Sequence, residues 1–266
     1  ALRTQYSHLL LPGKPRPTPV VVLLDLWRDW PLAHARCGAC GGLGLAGSMG
    51  GMLTIGSLGG VCIDCHRIVH RTIGGGIGII YKESLESGSV DWWENQPEAE
   101  RPLTIERYGK ELVPRLKDLG LKILLEPGRY IVGNAGVLLT KCLYEKKGSA
   151  KTFKIVDAGM NDLIRPALYE GHHEIAPLVE PASGERVKVD VVGPICESGD
   201  FFCQDRELPD FNPGDHVALM SAGAYGFVMA SNYNSRPLPA EILVEGATAT
   251  VVRKRQTLDD LIEGEL

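Results

Sequence analysis

The sequence lacks several features that mark particular classes of protein. No apolar run approaches the length of a membrane span, and no internal repeat is visible. The short apolar run Val20–Leu24 is soon followed by Asp25 and Arg28, which makes a poor secretory signal. The net charge is only −5, from 33 acidic and 28 basic side chains, and gives no reason to expect a nucleic acid or an anionic membrane as a partner. We therefore expect a cytoplasmic protein.

What the sequence does contain is typical of a globular protein. Of its 266 residues, 44% are hydrophobic and 23% are charged, which is enough for one large domain or two ordinary ones. The seven cysteines are an odd number, and free thiols in a reducing compartment are the simplest interpretation of them.

The chain changes character near Arg71. Residues 1–72 begin with a proline-rich stretch at 11–19 and continue through a glycine-rich stretch at 37–60. No helical period survives the second stretch, and its glycines would weaken any strand. The sequence therefore predicts no regular element before Ile73 and an irregular or non-native segment over residues 1–72.

Residues 73–135 contain the pattern of one αβ unit of a parallel sheet or barrel. Apolar residues recur at steps of three and four from Ile105 to Leu119, which predicts an amphipathic helix starting near Thr104. Leu121 to Leu125 then predicts a short buried strand, at whose end barrel enzymes tend to place chemistry.

Residues 136–266 have the pattern of an antiparallel β domain, with turn signals between strands and a short final helix from Thr257 to Ile262. The fold class expected is α/β plus β. The predicted strands are Val137–Leu143, Phe153–Val156, Val187–Val192, His216–Ser221, Glu241–Val244 and Thr248–Arg253.

Two cysteine pairs lie in the first 72 residues, Cys37-Gly-Ala-Cys40 and Cys62-Ile-Asp-Cys65. Two such pairs are typical of a zinc site, since each offers two thiolates to one tetrahedral ion. The stretch between them is apolar and glycine-rich, unlike a zinc ribbon, which favours coincidental spacing. Zinc at Cys37, Cys40, Cys62 and Cys65 stays the alternative, and haem attachment at Cys62–His66 is less favoured because it needs an exported chain.

Two motifs in the α/β part could hold an anion. The glycines Gly74, Gly75 and Gly76 allow backbone N–H groups to approach a phosphate, although a flexible turn is the other interpretation. Glu126-Pro-Gly-Arg129 places a carboxylate, a rigid turn and a guanidinium at a strand end, where Arg129 could hold a carboxylate or phosphate.

Three motifs in the β part carry reactive or polar side chains. Cys196-Glu-Ser-Gly-Asp200 places a thiol beside two carboxylates, and this crowding suits a proton donor better than a nucleophile. Arg165 and Tyr169 are four residues apart, so on a helical turn starting at Pro166 they share a face. Tyr225 lies between small residues and can project its hydroxyl where the backbone passes close.

Taken together and in this order, the motifs resemble those of the diaminopimelate decarboxylases, from about Ile73 to the C-terminus. The matching segments are Gly74-Gly-Gly-Ile-Gly78, Glu126-Pro-Gly-Arg129, Leu163-Ile-Arg-Pro-Ala-Leu-Tyr169, Cys196-Glu-Ser-Gly-Asp200 and Gly223-Ala-Tyr-Gly226. The resemblance implies an alanine-racemase-like barrel followed by a β domain, pyridoxal 5′-phosphate (PLP) as cofactor, and decarboxylation of meso-diaminopimelate to L-lysine.

The resemblance also implies a role for each matching residue. Cys196 would supply a proton to the substrate carbon, and Glu197 would meet the distal amino group. The Cys-Glu segment would reach the active site of a neighbouring subunit, so a homodimer is implied. Residues implied to contact the cofactor are Gly74, Gly75, Gly76, Glu126, Gly128, Arg129 and Tyr225. Residues implied to contact the substrate are Arg129, Arg165, Tyr169, Glu197 and Tyr225.

The sequence departs from the family pattern in its first part. The family's Schiff-base lysine and PLP-stacking histidine lie upstream of the glycine motif, whereas Lys14, among prolines, is the one lysine before Ile73. We therefore expect an incomplete member of the family, of doubtful activity by itself. The alternatives are a decarboxylase of ornithine or arginine, against which Glu197 argues because those enzymes usually have Cys-Asp, and a non-catalytic, possibly zinc-binding homologue.

Overall fold

The structure is a computed structural model that describes residues 77–82, 84, 95, 97, 104–117, 122–179 and 184–265, with the backbone alone at 122–124 and in strands at 20–24, 58–61 and 68–73. The chain divides into two compact units. The first comprises Ala1–Leu26, Ile80–Glu94 and Val132–Leu266, and the second comprises Trp27–Ile79 and Asn95–Ile131.

The described residues form twelve strands and three α-helices. The strands are β1 (Val20–Leu24), β2 (Leu58–Val61), β3 (Ile68–Ile73), β4 (Lys122–Leu125), β5 (Gly136–Lys147), β6 (Thr152–Val156), β7 (Ile175–Pro177), β8 (Arg186–Val192), β9 (Phe201–Pro209), β10 (His216–Leu219), β11 (Ala240–Glu245) and β12 (Thr248–Arg253). The helices are α1 (Ile105–Leu116), α2 (Arg165–Tyr169) and α3 (Leu258–Ile262).

Nine strands of the first unit form one sheet in the order β12-β11-β1-β5-β6-β8-β9, with β10 paired to β5 and β7. Most pairs are antiparallel, and the α/β plus β fold class is confirmed. Two pairs, β1 with β11 and β6 with β8, are parallel. All six predicted strands of this unit are present, and the unpredicted β7 and β9 join them.

Strand β5 separates two hydrophobic clusters. Leu138 and Cys142 pack in the larger cluster, whereas Val137 and Leu139 pack in the smaller one. Successive side chains of a strand point to opposite faces, so the first half of β5 is buried on both sides.

A buried lysine on β6 joins β5 to the segment that follows β9. Lys154 on β6 is 1% exposed, and its Nζ donates to Asp210 Oδ1 at 2.8 Å and to the Phe211 carbonyl oxygen at 2.7 Å. Glu145 on β5 completes the group as an ion-pair partner. These partners offset the cost of burying the ammonium group.

The second unit contains a three-stranded sheet, in which β3 pairs antiparallel with β2 and parallel with β4. The predicted helix is confirmed as α1, since Thr104 is its N-cap and accepts a hydrogen bond from the Arg107 N–H at 3.2 Å. The predicted strand is confirmed as β4, but Leu125 at its end is 44% exposed and not buried.

Three strands lie within or next to the first 72 residues, where the sequence predicted no element. A strand at β1 could not be inferred locally, because its partners β5 and β11 are more than a hundred residues away in the sequence. The domain limits 1–72, 73–135 and 136–266 stay predictions. No helix in the described part of the chain is both long and apolar enough to cross a bilayer.

Candidate active site

A buried turn precedes the predicted substrate-binding helix in the first unit. The Asp162 carboxylate, 1% exposed, accepts hydrogen bonds from the Gly159 N–H at 2.9 Å and from Asn161 Nδ2 at 3.0 Å. Burial raises the pKa of Asp162 to about 6 against the lowering effect of the Gly159 hydrogen bond. The turn therefore holds a carboxylate that is hydrogen-bonded but poorly solvated.

Helix α2 carries Arg165 and Tyr169. Pro166 near its start suits the first turn, as predicted, and Glu170 ends the helix with a left-handed φ of 52°. Arg165 is 7% exposed, whereas Tyr169 is 62% exposed. The two residues thus lie one helical turn apart, one in the protein interior and one at its surface.

Arg165 is enclosed by two aromatic side chains that the sequence did not single out. Its Nη1 lies 2.8 Å from His173 Nε2, and its Cζ lies 4.4 Å from the centre of the Tyr81 ring. Within the described residues, Arg165 forms no ion pair with an acidic side chain. Among the described residues, no carboxylate balances the buried guanidinium charge.

The Cys196–Asp200 loop exposes Cys196 and Glu197 to solvent and buries Asp200. Cys196 and Glu197 are exposed, and the Cys196 thiol is free. Asp200 is 4% exposed, and its carboxylate accepts from the backbone N–H groups of Met160 at 2.7 Å and Ile195 at 2.6 Å. The proposed crowding of the thiol by both acids is wrong for Asp200, because that carboxylate faces backbone amides.

Burial of Asp200 and packing of Gly199 hold the loop against the turn and helix α2. Burial raises the pKa of Asp200 against the lowering effect of the two backbone hydrogen bonds. A Cβ added at Gly199 would lie 3.8 Å from Ala167 Cβ on α2 and 3.8 Å from Met160 Cε. The structure therefore brings the cysteine loop and the arginine helix together.

A third aromatic residue that sequence reasoning missed contacts the loop. The Tyr233 hydroxyl donates a short hydrogen bond to Glu197, and this bond is the main cause of the raised pKa of Tyr233. The segment carrying Tyr233 is held to the buried turn, since Arg236 Nε donates to Asn161 Oδ1 at 2.9 Å. Asn-Tyr-Asn-Ser has no catalytic pattern of its own, so no signal in the sequence identified Tyr233.

Tyr225 occupies a turn that depends on its neighbouring glycines. A Cβ at Gly223 would lie 1.8 Å from the Val132 carbonyl oxygen, and one at Gly226 would lie 2.2 Å from that of Ala222. Tyr225 itself has a left-handed φ of 58° and is 40% exposed. The close backbone approach expected from the small residues is therefore present, and it leaves Tyr225 at the surface.

The other candidate residues lie in the second unit, at the end of β4. Glu126 is exposed and Arg129 is half-buried. Pro127 has right-handed backbone angles and Gly128 a left-handed φ of 58°, and this succession is typical of backbone nests that bind anions. The Ile77 N–H donates to the Pro127 carbonyl oxygen at 3.1 Å, which ties the segment after β3 to this turn.

Several candidate residues fall outside the residues that the structure describes. These are Gly74, Gly75 and Gly76 and the four cysteines Cys37, Cys40, Cys62 and Cys65. Among the described residues, no group of three or more histidine, cysteine or acidic side chains is arranged to hold a metal ion.

Comparison with known proteins identifies the family. A sequence model described as the C-terminal sheet domain of pyridoxal-dependent decarboxylases matches residues 23–223. The chain is 45% identical over 203 residues to a diaminopimelate decarboxylase of Aquifex aeolicus, covering 75% of this chain and 44% of that protein. It is also 45% identical over 199 residues to the diaminopimelate decarboxylase of Methanothermobacter thermautotrophicus, covering 72% of this chain and 43% of that protein.

A solved structure gives the same result. The crystal structure of diaminopimelate decarboxylase from Helicobacter pylori complexed with L-lysine is 41% identical in sequence and superposes with a TM-score of 0.63, covering 75% of this chain and 45% of that one. The chain thus spans less than half the length of the relatives it matches. Because the family model covers most of the sequence, the chain belongs to the pyridoxal-dependent decarboxylases, and its resemblance to the diaminopimelate decarboxylases is confirmed.

Proposed function

We propose that the chain serves the decarboxylation of meso-2,6-diaminopimelate to L-lysine and CO2. The observation that carries the proposal is the buried charge of Arg165. A guanidinium that is 7% exposed and lacks an acidic partner among the described residues is costly, and a ligand carboxylate would remove that cost. Substrates with a carboxylate beyond the reacting centre meet this requirement, and diaminopimelate carries one at each end.

Glu197 supplies the opposite charge at the same loop that carries Cys196. Its exposed carboxylate, held by the Tyr233 hydroxyl, suits the distal ammonium group of the substrate. The shorter aspartate of ornithine decarboxylases would not reach as far, so Glu197 favours diaminopimelate over ornithine or arginine.

The second unit offers features that fit the PLP of this family. The nest at Pro127 and Gly128 suits the phosphate, and the exposed carboxylate of Glu126 suits a protonated pyridine nitrogen. When bound, PLP draws electrons away from the carbon that loses CO2.

The protein's own residues then bind the substrate and move a proton. Arg165 and Tyr169 hold a carboxylate that does not react, and Arg129 holds another anionic group. The bond between the reacting carbon and its carboxylate breaks, CO2 leaves, and the electron pair stays on the carbon. The Cys196 thiol delivers a proton to that carbon, which makes L-lysine.

The proposed site includes a second copy of the chain. The exposed Cys196 and Glu197 would contribute to the site of the neighbouring subunit, so the functional form is a homodimer. Cytoplasmic localisation stays a prediction.

One experiment tests the proposed function. The purified chain is incubated with PLP and each of meso-diaminopimelate, ornithine and arginine, and CO2 release is measured. Among these three compounds we expect CO2 release from meso-diaminopimelate alone, at a low rate in keeping with the doubtful activity of the chain by itself, and its loss in Arg165→Ala and Cys196→Ala. Borohydride reduction followed by peptide mapping would identify the lysine that carries the cofactor. CO2 release from ornithine or arginine instead would contradict the substrate assignment. One zinc ion per chain by elemental analysis, together with no CO2 release, would favour the zinc-binding alternative.

A further inference from the structure

His173 lies directly behind Arg165 in the first unit, and sequence reasoning gave it no role. Its side chain is fully buried between α2 and the strand β10, just before β7. One ring nitrogen, Nε2, lies 2.8 Å from Arg165 Nη1, and the other, Nδ1, lies 2.8 Å from the Met220 carbonyl oxygen. Both ring nitrogens are therefore engaged.

The two partners fix the tautomer of His173. A carbonyl oxygen can only accept a hydrogen bond, so Nδ1 carries the proton that it donates to Met220. A guanidinium can only donate, so Nε2 carries the lone pair that accepts from Arg165. In this arrangement the imidazole is neutral, and a second proton would destroy its contact with Arg165.

The surroundings of His173 also oppose a second proton. Burial lowers the pKa of His173 to about 4, against the raising effect of the Met220 hydrogen bond, and the positive charges of Arg165 and Arg206 lower it further, as does His172. Arg206 Nη1 donates to the His173 carbonyl oxygen at 2.5 Å, which holds the backbone of the histidine in place.

Tyr81 restrains the guanidinium from a second direction. The Arg165 Cζ lies 4.4 Å from the centre of the Tyr81 ring, within the distance of a cation–π contact. The Tyr81 and His173 rings meet edge to face, with centres 5.5 Å apart and planes at 79°. His173 thus accepts a hydrogen bond from one N–H of the guanidinium, and the Tyr81 ring lies against the guanidinium as a whole.

We propose that His173 is a positioning residue that, with Tyr81, holds the Arg165 guanidinium ready for a ligand carboxylate without neutralising its charge. This inference rests on the proposed function, in which Arg165 binds a substrate carboxylate. An aspartate or glutamate in place of His173 would orient the guanidinium equally well but would satisfy its charge internally. A neutral acceptor keeps the full positive charge for the ligand.

Two variants separate the contact with Arg165 from the packing of the ring. His173→Asn keeps a donor near the position of Nδ1 but is too short to reach Arg165. His173→Gln places its amide oxygen near the position of Nε2 and keeps the acceptor for Arg165. Both remove the ring and its contact with Tyr81, so a difference between them reports the Arg165 contact.

The variants are compared by calorimetric titration of the full chain with L-lysine and with cadaverine, which is lysine without its carboxylate. We expect L-lysine to bind about tenfold more weakly to His173→Asn than to His173→Gln, the order of one hydrogen bond to a charged group. Cadaverine should bind all three chains equally. Equal affinities of the two variants for L-lysine would overturn the inference, while a loss of L-lysine binding in Arg165→Ala would leave the proposed function standing.

A second measurement tests the role of His173 without any ligand. If the chain bound L-lysine and cadaverine equally well, that result would count against the proposed function alone, and this measurement would still decide the inference. Long-range ¹H–¹⁵N NMR of the histidine side chains reports the tautomer. We expect the Nδ1–H form, which is neutral at pH values where an ordinary histidine is protonated, with shifts that change in Arg165→Ala. The Nε2–H form, or protonation in the ordinary range, would overturn the inference.

Discussion

Asp162 and His173 are both buried ionisable residues near α2, yet burial moves their pKa values in opposite directions. The pKa of Asp162 is raised to about 6 and that of His173 is lowered to about 4. Each shift disfavours the charged form. The two residues therefore have opposite effects on stability in the same pH range.

The direction in which each residue changes the stability with pH follows from how tightly the folded and unfolded chains bind the proton. Folded Asp162 binds its proton more tightly than the unfolded chain does, so its contribution to stability is full below pH 3.8 and is lost as the pH rises through about 6. Folded His173 binds its second proton more weakly, so its contribution is full above pH 6.5 and is lost as the pH falls through about 4.

Replacing Asp162 by asparagine isolates the pH-dependent contribution of Asp162 to stability, because His173 is the same in the wild type and the variant. Urea unfolding is measured for the wild type and for Asp162→Asn at several pH values between 4 and 7. The stability of the wild type relative to the variant should decrease by about 2 kcal/mol as the pH rises across this range. A relative stability that stays constant or increases with pH would show that Asp162 ionises normally.

Site residues that belong to a sequence motif could be predicted from the sequence. Residues that contact those site residues from elsewhere in the fold could not. Arg165, Cys196 and Glu197 belong to recognisable segments, and all three lie in one unit of the structure. His173 follows another histidine and has no spacing relation to Arg165 beyond its eight residues, so only the fold shows their contact. The same holds for Tyr233, which lies 36 residues from Glu197 in sequence.

At the scale of elements, the Cys196–Asp200 loop is held by its own buried acid. Asp200 accepts hydrogen bonds from the Ile195 N–H, just before the loop, and from the Met160 N–H, in the turn before α2. The carboxylate thereby joins two segments that are 40 residues apart. An amide of the same size could accept only one of these bonds, and its own N–H group would face the other donor.

We therefore expect Asp200→Asn to loosen both segments together. The free energy of unfolding should fall by about 2–4 kcal/mol, and the Ile195 and Met160 amides should exchange with solvent faster. Hydrogen exchange and urea unfolding measure the two effects. Asp259→Asn, at an exposed position on α3, is the control and should change the stability by less than about 0.5 kcal/mol. Unchanged exchange at Met160 would show that Asp200 does not join the segments.

Strands with a clear alternation of apolar and polar residues could be predicted from the sequence, and strands without it could not. The predicted bounds of β12 agree with the structure, and β5, β6, β8, β10 and β11 differ by a few residues at their ends. Strand β9 contains Gln204 and Asp205, and Asp205 has a left-handed φ of 49°, so the alternation that marks a strand is broken within it. Strand β7 has three residues, too few for any period to appear.

At the scale of the whole molecule, the surface of the first unit exposes several large apolar side chains. Tyr169 is 62% exposed, Val228 is 80% exposed and Leu168 is 55% exposed. Val228 lies in the short helix Phe227–Met229, between Tyr225 and Tyr233 in the sequence. Exposed apolar groups near a site are typical of surfaces covered by a partner.

We expect a second copy of the chain to cover this surface. Val228→Asp should shift the dimer towards monomers in sedimentation equilibrium, because dimerisation would then bury a charge without a partner. Val113→Asp, at a 60% exposed valine of α1, serves as the control and should leave the association unchanged. A dimer that tolerates Val228→Asp, or a wild-type chain that is monomeric at high concentration, would contradict the homodimer.

The position of β1 has a consequence for the order in which the first unit can assemble. Val20–Leu24 pairs with β5 on one side and with β11 on the other, so in the sheet the hairpin of β11 and β12 adjoins the remaining strands through β1. During synthesis β1 is made before its partner β11, because Ala240 and Val244, which pair with its two ends, follow some two hundred residues later. The earlier strand must therefore wait for a partner made much later, and such distant pairings make folding slow.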